Sequence, residues 1–553
     1  MPQATIIPGL SQNPPARSDP STFDPRGASL LADLPNLVDK INTVVSELNT
    51  WNADTEVDKT STGASRTASI ASEQAAKTSA LASAQRSAVW ASGVNYSVGY
   101  LVESPITARQ YRCILSGVST TDPSLDSTRW EVLGFEFNTQ YPNIKPTLNL
   151  NFAKTKILGP RITFTRNSIG TYFDQYGVLR TAQNNQARFD HDPVTGESLG
   201  LLIEEQRTNL VLRSEEFDNA SWTKLNTTLG ANAVASPDGS LTAEKLIATT
   251  TAAQHYIGQA AGLLSAGTYT FSFYIKAGEL ARGECTVGSA VGGANGFYAS
   301  FNLSTATATL IGQFGTGFTG HSASLSAVGN GWFRFSITGA TSVTGNISVQ
   351  LNLYNAAGSI SFAGNGYDGI YIWGAQLEAG SFPTSYIPTT TAQVTRAADA
   401  AVMTGTNFSS WYRQDEGTLY EEGSAFKSNT DANPRFTSSI TDGLANFVMG
   451  LRYTTAVQPR VDSGGSVQVQ LTTLNPHETN VFCKSAIAVR QNDFAASANG
   501  LTPLTDTSGV LPTTMNTLSI GSYGTAYLCG HIKKIAYYPK RLSNTELQAL
   551  TRP

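Results

Sequence analysis

The sequence predicts a mainly β protein, in which an N-terminal helical coiled-coil stalk is followed by a small β module and two antiparallel β-sandwich domains. Apolar residues alternate strictly over residues 269–275 and 347–353, which places one set of side chains on a core face and the other towards water. Glycine-rich breaks such as residues 329–331 suit hairpin turns that need positive φ. Charged residues make up only 14% of the chain, against about 25% in an average soluble protein. The strand faces that meet water are therefore expected to be polar and uncharged, which suits sugars better than ions.

Residues 1–55 are interpreted as an extended arm that docks on a partner, followed by a helix. The first 25 residues are rich in proline, serine and asparagine, a composition that does not fold alone. The apolar positions that follow are spaced alternately by four and three residues: Leu30, Leu34, Leu37, Ile41, Val44, Leu48 and Trp51. This heptad places one apolar stripe along a helix and predicts a coiled coil through these residues. A single amphipathic helix packed on its own domain fits the same spacing.

Residues 56–88 are predicted to form a slim helical stalk. The segment is rich in alanine and serine, and Ile70 and Leu81 are its large apolar residues between positions 61 and 88. Such a run has too little apolar bulk to make a globular core. A flexible linker is the alternative, but the heptad that precedes the segment favours a stalk with alanine at its seam.

Residues 89–145 are predicted to form a small β module built around aromatic side chains. Trp90, Tyr111 and Trp130 are its candidate glycan-binding residues, because exposed aromatic rings stack on the apolar faces of sugars. The alternative is that these rings form the core of a small domain with little else to bury. A tryptophan, a Gly-x-x-Tyr, a short apolar strand and a closing tryptophan resemble the small chitin-binding-type carbohydrate modules.

Residues 146–208 are predicted to be a β-rich connector, and residues 209–396 a carbohydrate-binding-like β-sandwich. Three stretches have distinctive sequences: RFDHDPVTGE at 188–197, SEEFDNASWTK at 214–224 and WGAQLE at 373–378. These stretches resemble tail-fibre and receptor-binding proteins of tailed bacteriophages. The arm, the stalk and the aromatic module also occur in the order that such fibres use.

The resemblance to phage fibres implies a set of partners and a location. It implies a homotrimer whose seam is the heptad, with the N-terminus attached to phage tail or baseplate proteins. It implies sandwiches that contact a host surface glycan, in a protein made in the host cytoplasm and carried on the virion tail. A tailspike-type glycan depolymerase and a purely structural virion spacer are the alternatives.

Residues 397–553 are predicted to form a second β-sandwich that ends in a short helix. Ser543 and Glu546 fit a capping box at the start of that helix. The closing strand and the pattern Pro-x-Arg-Leu-Ser-x-x-Glu-Leu resemble concanavalin-A-like and laminin-G-like lectin sandwiches, which often bind glycans and sometimes use calcium. Within this domain, Trp411, Tyr412 and Arg413 are a candidate sugar platform, because an aromatic ring and an arginine adjoin after a polar run.

Residues 190–192, Asp-His-Asp, are the most suggestive acidic cluster. Asp190 and Asp192 are candidate calcium ligands, although the Pro-Val-Thr-Gly that follows them is typical of a solvated turn. The adjacent pairs 204–205 and 215–216 would point to opposite faces of a strand, which does not give the two facing carboxylates of a glycosidase. No catalytic residue is predicted, the chain is expected not to be an enzyme, and calcium is the one cofactor left open.

Charge and cysteine usage bound the remaining functions. The net charge of −4 and the absence of a basic cluster in the sequence make nucleic acid an unsuitable partner. No signal peptide and no apolar run of transmembrane length is visible in the sequence. The four cysteines are scattered; Cys483 and Cys529 fall in one predicted domain, and spacing does not decide whether they pair.

Overall fold

The computed structural model describes residues 88–98, 100–105, 110–133, 142, 144–289, 295–342, 344–426, 435–443, 445–452, 457–471 and 478–552. The chain divides into two compact units, Met1–Phe137 and Asn138–Pro553. The arm, the heptad from Leu30 to Trp51 and the stalk up to residue 87 lie outside the described residues. The coiled coil and the trimer therefore stay predictions.

The first unit is a small β module. Its elements are β1 (Ala88–Val89), β2 (Val94–Tyr96), β3 (Leu101–Glu103), β4 (Gln110–Cys113), β5 (Gly117–Ser119), a 3-10 turn at Pro123–Leu125 and β6 (Trp130–Leu133). One sheet has the order β1-β3-β4-β6, and β2 pairs with β5. The core of the module is made by Tyr96, Val102, Tyr111, Cys113 and Trp130.

The regular elements of the second unit are almost all strands. Its first elements are β7 (Leu148–Asn151), α1 (Phe152–Thr155), β8 (Thr163–Thr165), β9 (Gly170–Phe173), β10 (Leu179–Ala182), β11 (Arg188–His191), β12 (Ser198–Ile203) and β13 (Arg207–Asn209). The next are β14 (Thr223–Leu225), β15 (Thr227–Val234), β16 (Ala243–Ala248), β17 (Ala253–Gln254), β18 (Tyr256–Leu264), β19 (Gly267–Ala277), β20 (Arg282–Ser289), β21 (Gly296–Asn302), β22 (Thr307–Phe314), β23 (Phe318–Ala327), β24 (Trp332–Thr341), β25 (Gly345–Tyr354), β26 (Ser361–Phe362) and β27 (Gly369–Ala379).

The C-terminal part of the second unit continues the pattern. Its elements are β28 (Val394–Arg396), β29 (Ala400–Thr404), α2 (Thr406–Ser409), β30 (Glu416–Ala425), β31 (Arg435–Thr441), β32 (Phe447–Arg452), β33 (Val457–Ser463), β34 (Ser466–Gln470), β35 (Cys483–Arg490), β36 (Asp493–Ala498), β37 (Leu504–Asp506), β38 (Thr517–Ile520), β39 (Ser522–Tyr523), β40 (Ala526–Tyr527), β41 (Gly530–Tyr538) and α3 (Asn544–Leu550). The predicted capping box is confirmed at α3, where Ser543 and Glu546 exchange side-chain-to-backbone hydrogen bonds. No helix in the described ranges is long and apolar enough to cross a membrane.

The C-terminal sandwich is discontinuous in sequence. One of its sheets has the order β11-β12-β41-β30-β35-β36-β37 with β7 also on β41, and the other has the order β34-β33-β32-β31-β38-β29-β8. Leu148, Phe152 and Ile203 lie in the same core as Leu518 and Ile535. The expectation that residues 146–208 are a connector outside a sandwich of residues 397–553 is therefore wrong. The sandwich needs both segments, because strands from each pair in the same two sheets.

A second sandwich is inserted between these two segments. One of its sheets, which we call the open sheet, has the order β14-β18-β25-β20-β21-β22. The other, which we call the covered sheet, has the order β15-β16-β27-β19-β24-β23. The alternation predicted at residues 269–275 is confirmed, since Phe271, Phe273 and Ile275 all lie in the core between these sheets. The predicted turn at residues 329–331 is confirmed as well, with positive φ at all three positions.

The outer face of the covered sheet is buried by the rest of the unit. Tyr274, Trp332 and Trp373 stand on this face and pack with Leu179 and Tyr386 from the flanking segments. Tyr274 is thus buried although it alternates with the core residues, because its side of the sheet faces protein instead of water. The open sheet is left to present its outer face.

A cluster of buried charges holds the two chain segments that lead into and out of the insertion. Arg188 donates to Glu204 (Nη1 to Oε2, 2.7 Å) and to Asp399 (Nη2 to Oδ2, 2.6 Å). Arg166 pairs with Asp399 at 3.1 Å, and Arg396 lies 3.5 Å from Glu204. Burial alone would raise the pKa of Glu204, but Arg396 and Arg188 outweigh it and hold that pKa far below its usual range. Each of these side chains has an oppositely charged neighbour, which is what makes such a cluster tolerable in a core.

Candidate functional site

The outer face of the open sheet carries a groove of about 510 Å³. We call it the sheet groove, and its lining residues are Leu225, Gln254, Tyr256, Glu284, Thr286, Tyr298, Phe314, Gln350 and Asn352. Its volume lies within the range of about 300–1,000 Å³ that is usual for small-molecule sites.

Strand register brings the polar lining residues of the sheet groove together. Glu284 on β20 lies opposite Asn352 on β25, which in turn lies opposite Tyr256 on β18. One pleat further, Thr286 lies opposite Gln350 and Tyr298. Because side chains alternate between faces, the neighbours of these lining residues along each strand point into the core. These neighbours include Cys285, Val287, Phe297 and Leu351.

One end of the sheet groove is a pair of aromatic rings lying on glycines. Tyr298 and Phe314 are stacked, with ring centroids 6.5 Å apart and an interplanar angle of 28°. A Cβ atom at Gly296 would stand 2.2 Å from Cζ of Phe314, so only glycine lets that ring lie flat on the sheet. Phe314 remains 37% exposed. The two rings therefore offer an apolar surface to a molecule in the groove.

The floor of the groove is a hydrogen-bonded polar group centred on Glu284. Its carboxylate accepts from the hydroxyl of Tyr354 and, at 3.3 Å, from the hydroxyl of Thr286. Burial raises the pKa of Glu284, and the Tyr354 hydrogen bond opposes that rise only in part. Beside it, the amide of Gln350 donates to Oδ1 of Asn352 at 3.0 Å. Amide and hydroxyl groups of this kind both donate and accept, as sugar hydroxyls do.

The sheet groove contains a single carboxylate among the described residues that line it. Glycoside hydrolysis needs two carboxyl groups that face each other across the scissile bond, about 5–10 Å apart. The lining thus supplies surfaces for holding a sugar chain but lacks the second acid. Sequence analysis missed all of these residues, since it places them on outward faces without showing that they align across strands.

The predicted platform at residues 411–413 is not formed. The ring of Trp411 is only 3% exposed; it packs edge-on against Tyr537 at 5.1 Å, and its Nε1 donates to the Asn407 carbonyl at 2.9 Å. The ring of Tyr412 packs against the same Tyr537, and burial raises the pKa of its hydroxyl well above its usual value. Arg413 is exposed and pairs with Asp415. The prediction of a sugar-stacking ring at Trp411 is therefore wrong, because its indole belongs to the core of the C-terminal sandwich.

In the small β module the aromatic residues are mostly core. Trp130 is 2% exposed and Tyr111 is buried with it. Trp90 is half-buried, and its indole N–H and that of Trp130 both donate to the hydroxyl of Ser119, at 3.1 and 3.2 Å. Tyr111 and Trp130 therefore follow the alternative that they form the core, which corrects their assignment to glycan binding. Of the three candidate residues, Trp90 is the one that is half-buried and not buried.

The candidate calcium ligands have separate structural roles. Asp190 accepts from the Phe173 N–H at 2.7 Å and pairs with Nε2 of His531 at 2.8 Å. Asp192 accepts from the N–H groups of Val194 and Thr195, and although burial acts to raise its pKa, these turn hydrogen bonds lower it overall. Within the described ranges no group of three or more His, Cys, Asp or Glu side chains is placed to hold a metal ion. Asp192 thus fits the turn interpretation, whereas Asp190 lies on β11 and bonds across strands, so the two carboxylates do not share one site.

The four cysteines are described by the structure as buried free thiols. Cys483 and Cys529, whose pairing the sequence left open, are therefore not joined. Burial raises the pKa of Cys529 to about 12, which makes it a poor nucleophile.

No protein-family model matches the chain, and no curated protein matches it. Parts of the chain are similar to solved structures. One is the CBM40 of the Ruminococcus gnavus IT-sialidase bound to α2,3-sialyllactose, at 15% identity, covering 27% of this chain and 88% of that one, with a TM-score of 0.23. Another is domain 4 of AbnA, a GH43 extracellular arabinanase from Geobacillus stearothermophilus in complex with arabinotriose, at 10% identity, covering 31% and 82%, with a TM-score of 0.24.

Domains LG4-5 of the mouse laminin α1 chain are also similar, at 9% identity, covering 52% of this chain and 85% of that one, with a TM-score of 0.18. TM-scores of this size carry no inference about fold or ligand.

Proposed function

We propose that this chain is a receptor-binding protein that holds a surface polysaccharide in the sheet groove. The observation that carries the proposal is the pairing of stacked rings, Tyr298 and Phe314, with a floor of amide and hydroxyl groups. A sugar ring has one apolar face and a rim of hydroxyls. The rings fit the face, and the half-buried side chains of Gln350 and Thr286 fit the rim.

The form of the groove favours a neutral segment within a sugar chain. It contains no lysine or arginine among its described lining residues, and its one carboxylate, Glu284, is already bonded to Tyr354. It also lies along the face of a sheet instead of ending in a closed pocket, so a sugar chain can extend beyond it. Because the lining offers one carboxylate, we propose binding without cleavage.

The attachment role is the finer part of the proposal, and the resemblance to phage tail fibres supports it. In this interpretation the heptad from Leu30 to Trp51 forms a homotrimer, and the N-terminal arm attaches it to the phage tail or baseplate. The protein is then made in the host cytoplasm and carried on the virion. Three copies of a shallow groove would gain avidity by effective concentration, without any new contact.

An array of immobilised bacterial surface polysaccharides, probed with the full chain, tests the proposal. We expect binding to at least one polysaccharide, and we expect the same polysaccharide in solution to block adhesion of the chain to cells that display it. Silence on the array together with unblocked adhesion would contradict the glycan proposal. Release of reducing sugar from a bound polysaccharide would replace it with the depolymerase alternative, and light scattering that shows a monomer would contradict the trimer.

A further inference from the structure

A second cavity, of about 340 Å³, lies between the covered sheet and the C-terminal sandwich. We call it the junction cavity. Its walls come from β9 to β11, from β19 and β24, from the segment around Ser385, and from the strands that carry Ser424 and His531. Asn480 on this lining is exposed and Phe482 is half-buried, so the cavity has an opening on their side. It does not share a lining residue with the sheet groove.

The junction cavity has a cation without an acidic partner. Arg334 on β24 donates one Nη2 hydrogen bond to the hydroxyl of Ser272 (2.9 Å), and its guanidinium carbon lies 5.4 Å from the centroid of the Tyr274 ring. Its Nε is buried without a hydrogen-bond partner, and no carboxylate of the described residues lies within ion-pair distance of it. A half-buried guanidinium with an unused N–H is a ready donor to a planar anion.

Three carboxylates belong to the described lining, and each already accepts hydrogen bonds. Asp192 accepts from the N–H groups of Val194 and Thr195. Asp190 is held by His531 and the Phe173 N–H. Glu204 accepts from Arg188 and from Ser385. Arg334 is the arginine of the described lining, and its Nε–H is unused.

The junction cavity also has an unused acceptor. His191 is 5% exposed, and its Nδ1 donates to the Phe173 carbonyl at 3.1 Å, which fixes the proton on that nitrogen in the neutral ring. Nε2 is then a lone-pair acceptor, and it is buried with no partner among the described residues. A hydroxyl group is the ligand group that such a nitrogen accepts from.

From these groups we infer that the junction cavity binds a single carboxylated sugar, with the carboxylate on Arg334 and a hydroxyl on Nε2 of His191. The rings of Phe173, Tyr274 and Phe426 supply apolar walls for the sugar ring. The volume lies at the lower end of the usual range of about 300–1,000 Å³, which suits one sugar ring. The site is separate from the proposed function of the sheet groove, so either can fail alone.

Isothermal titration calorimetry on the full chain tests this inference with three probes: D-glucuronate, D-glucose and inorganic phosphate. We expect saturable binding of glucuronate, with glucose and phosphate at least about tenfold weaker, because glucose lacks the carboxylate and phosphate lacks the ring. Arg334→Gln should weaken glucuronate binding by about tenfold or more. Arg490→Gln, which changes an arginine on the outside of the C-terminal sandwich, and Tyr298→Ala in the sheet groove should both leave it unchanged.

Arg334 also packs on Tyr274, so circular dichroism must first show that Arg334→Gln is folded. His191→Gln is an independent variant that removes the imidazole acceptor without touching the cation, and it should weaken glucuronate binding as well. Absence of heat with glucuronate, equal binding of glucose, or binding of phosphate at the same strength would overturn the assignment. Unchanged affinity in both folded variants would overturn it too.

Discussion

At the scale of single residues, Glu244 shows how burial without a full set of hydrogen-bond partners destabilises a charged carboxylate. Glu244 on β16 is 4% exposed, and its Oε2 has no hydrogen-bond partner among the described residues. Burial, and then the nearby negative charge of Asp218, raise its pKa to about 7. The ammonium of Lys224 lies close by but donates to the carbonyls of Asp218 and Asn219. Folding therefore favours the protonated, neutral form of Glu244 over its carboxylate form.

This preference predicts a pH-dependent effect of Glu244→Gln. A folded pKa above the unfolded value, about 4.5, gives stability that is fully present below pH 4.5 and is lost as the pH rises through 7. The glutamine variant has no charge to bury, so it should be more stable than the parent protein at pH 8, by about 1–2 kcal/mol. Urea unfolding at pH 5 and pH 8 measures the difference. An advantage that is equal at both pH values would contradict the argument.

At the scale of elements, the C-terminal sandwich depends on strands that precede the insertion. β41 pairs with β30 on one side, and on the other side it pairs with β7 and β12. In the facing sheet, β8 pairs with β29. A chain that starts at residue 397 has none of β7, β8, β11 and β12, and it would expose the edge of β41 and part of the core.

This dependence predicts the behaviour of two fragments. Residues 397–552 alone should not fold. Residues 144–207 joined by a short Gly-Ser linker to residues 396–552 should fold, because Arg207 and Arg396 are paired neighbours on β13 and β28 and the ends of the insertion therefore meet. Circular dichroism and thermal melting of both fragments give the comparison. A cooperative melt for residues 397–552 alone would show that the early strands are dispensable.

The elements also show what could be predicted from the sequence. Local patterns were sufficient for the strand at residues 269–275, for the turn at residues 329–331 and for the cap at Ser543, because their causes lie within a few residues. Pairing between β7 and β41 joins positions nearly 400 residues apart, and no local pattern reports it. The same limit explains why the domain boundary predicted at residue 397 is wrong. Strands that complete the C-terminal sandwich precede the insertion, and no local pattern shows it.

The sequence did not predict the sheet groove for a related reason. The sequence predicts that Trp411 is a loop residue beside a polar run. In the structure its ring packs against Tyr537, which is distant in sequence. Tyr298, Glu284 and Asn352 were unremarkable outward positions until strand register aligned them. A polar or aromatic side chain becomes part of a groove through its neighbours on adjacent strands, and those neighbours come from the fold.

At the scale of the whole molecule, the two outer faces of the inserted sandwich have different uses. The covered sheet is packed against the flanking segments through Tyr274, Trp373 and Tyr386. The open sheet presents the sheet groove. The insertion is thereby attached by one face while the other stays available to a ligand.

The central claim is that the sheet groove binds a glycan through Tyr298. The most direct measurement is the affinity, by isothermal titration calorimetry, of the full chain for an oligosaccharide prepared from a polysaccharide that it binds on the array. Tyr298→Ala should weaken this affinity by about tenfold to a hundredfold, or about 1.4–2.8 kcal/mol, because it removes a ring that the sugar stacks on. The matched control is Tyr176→Ala, which truncates a tyrosine that is exposed outside the groove, and it should bind like the parent chain. A folded Tyr298→Ala protein with unchanged affinity would contradict the claim.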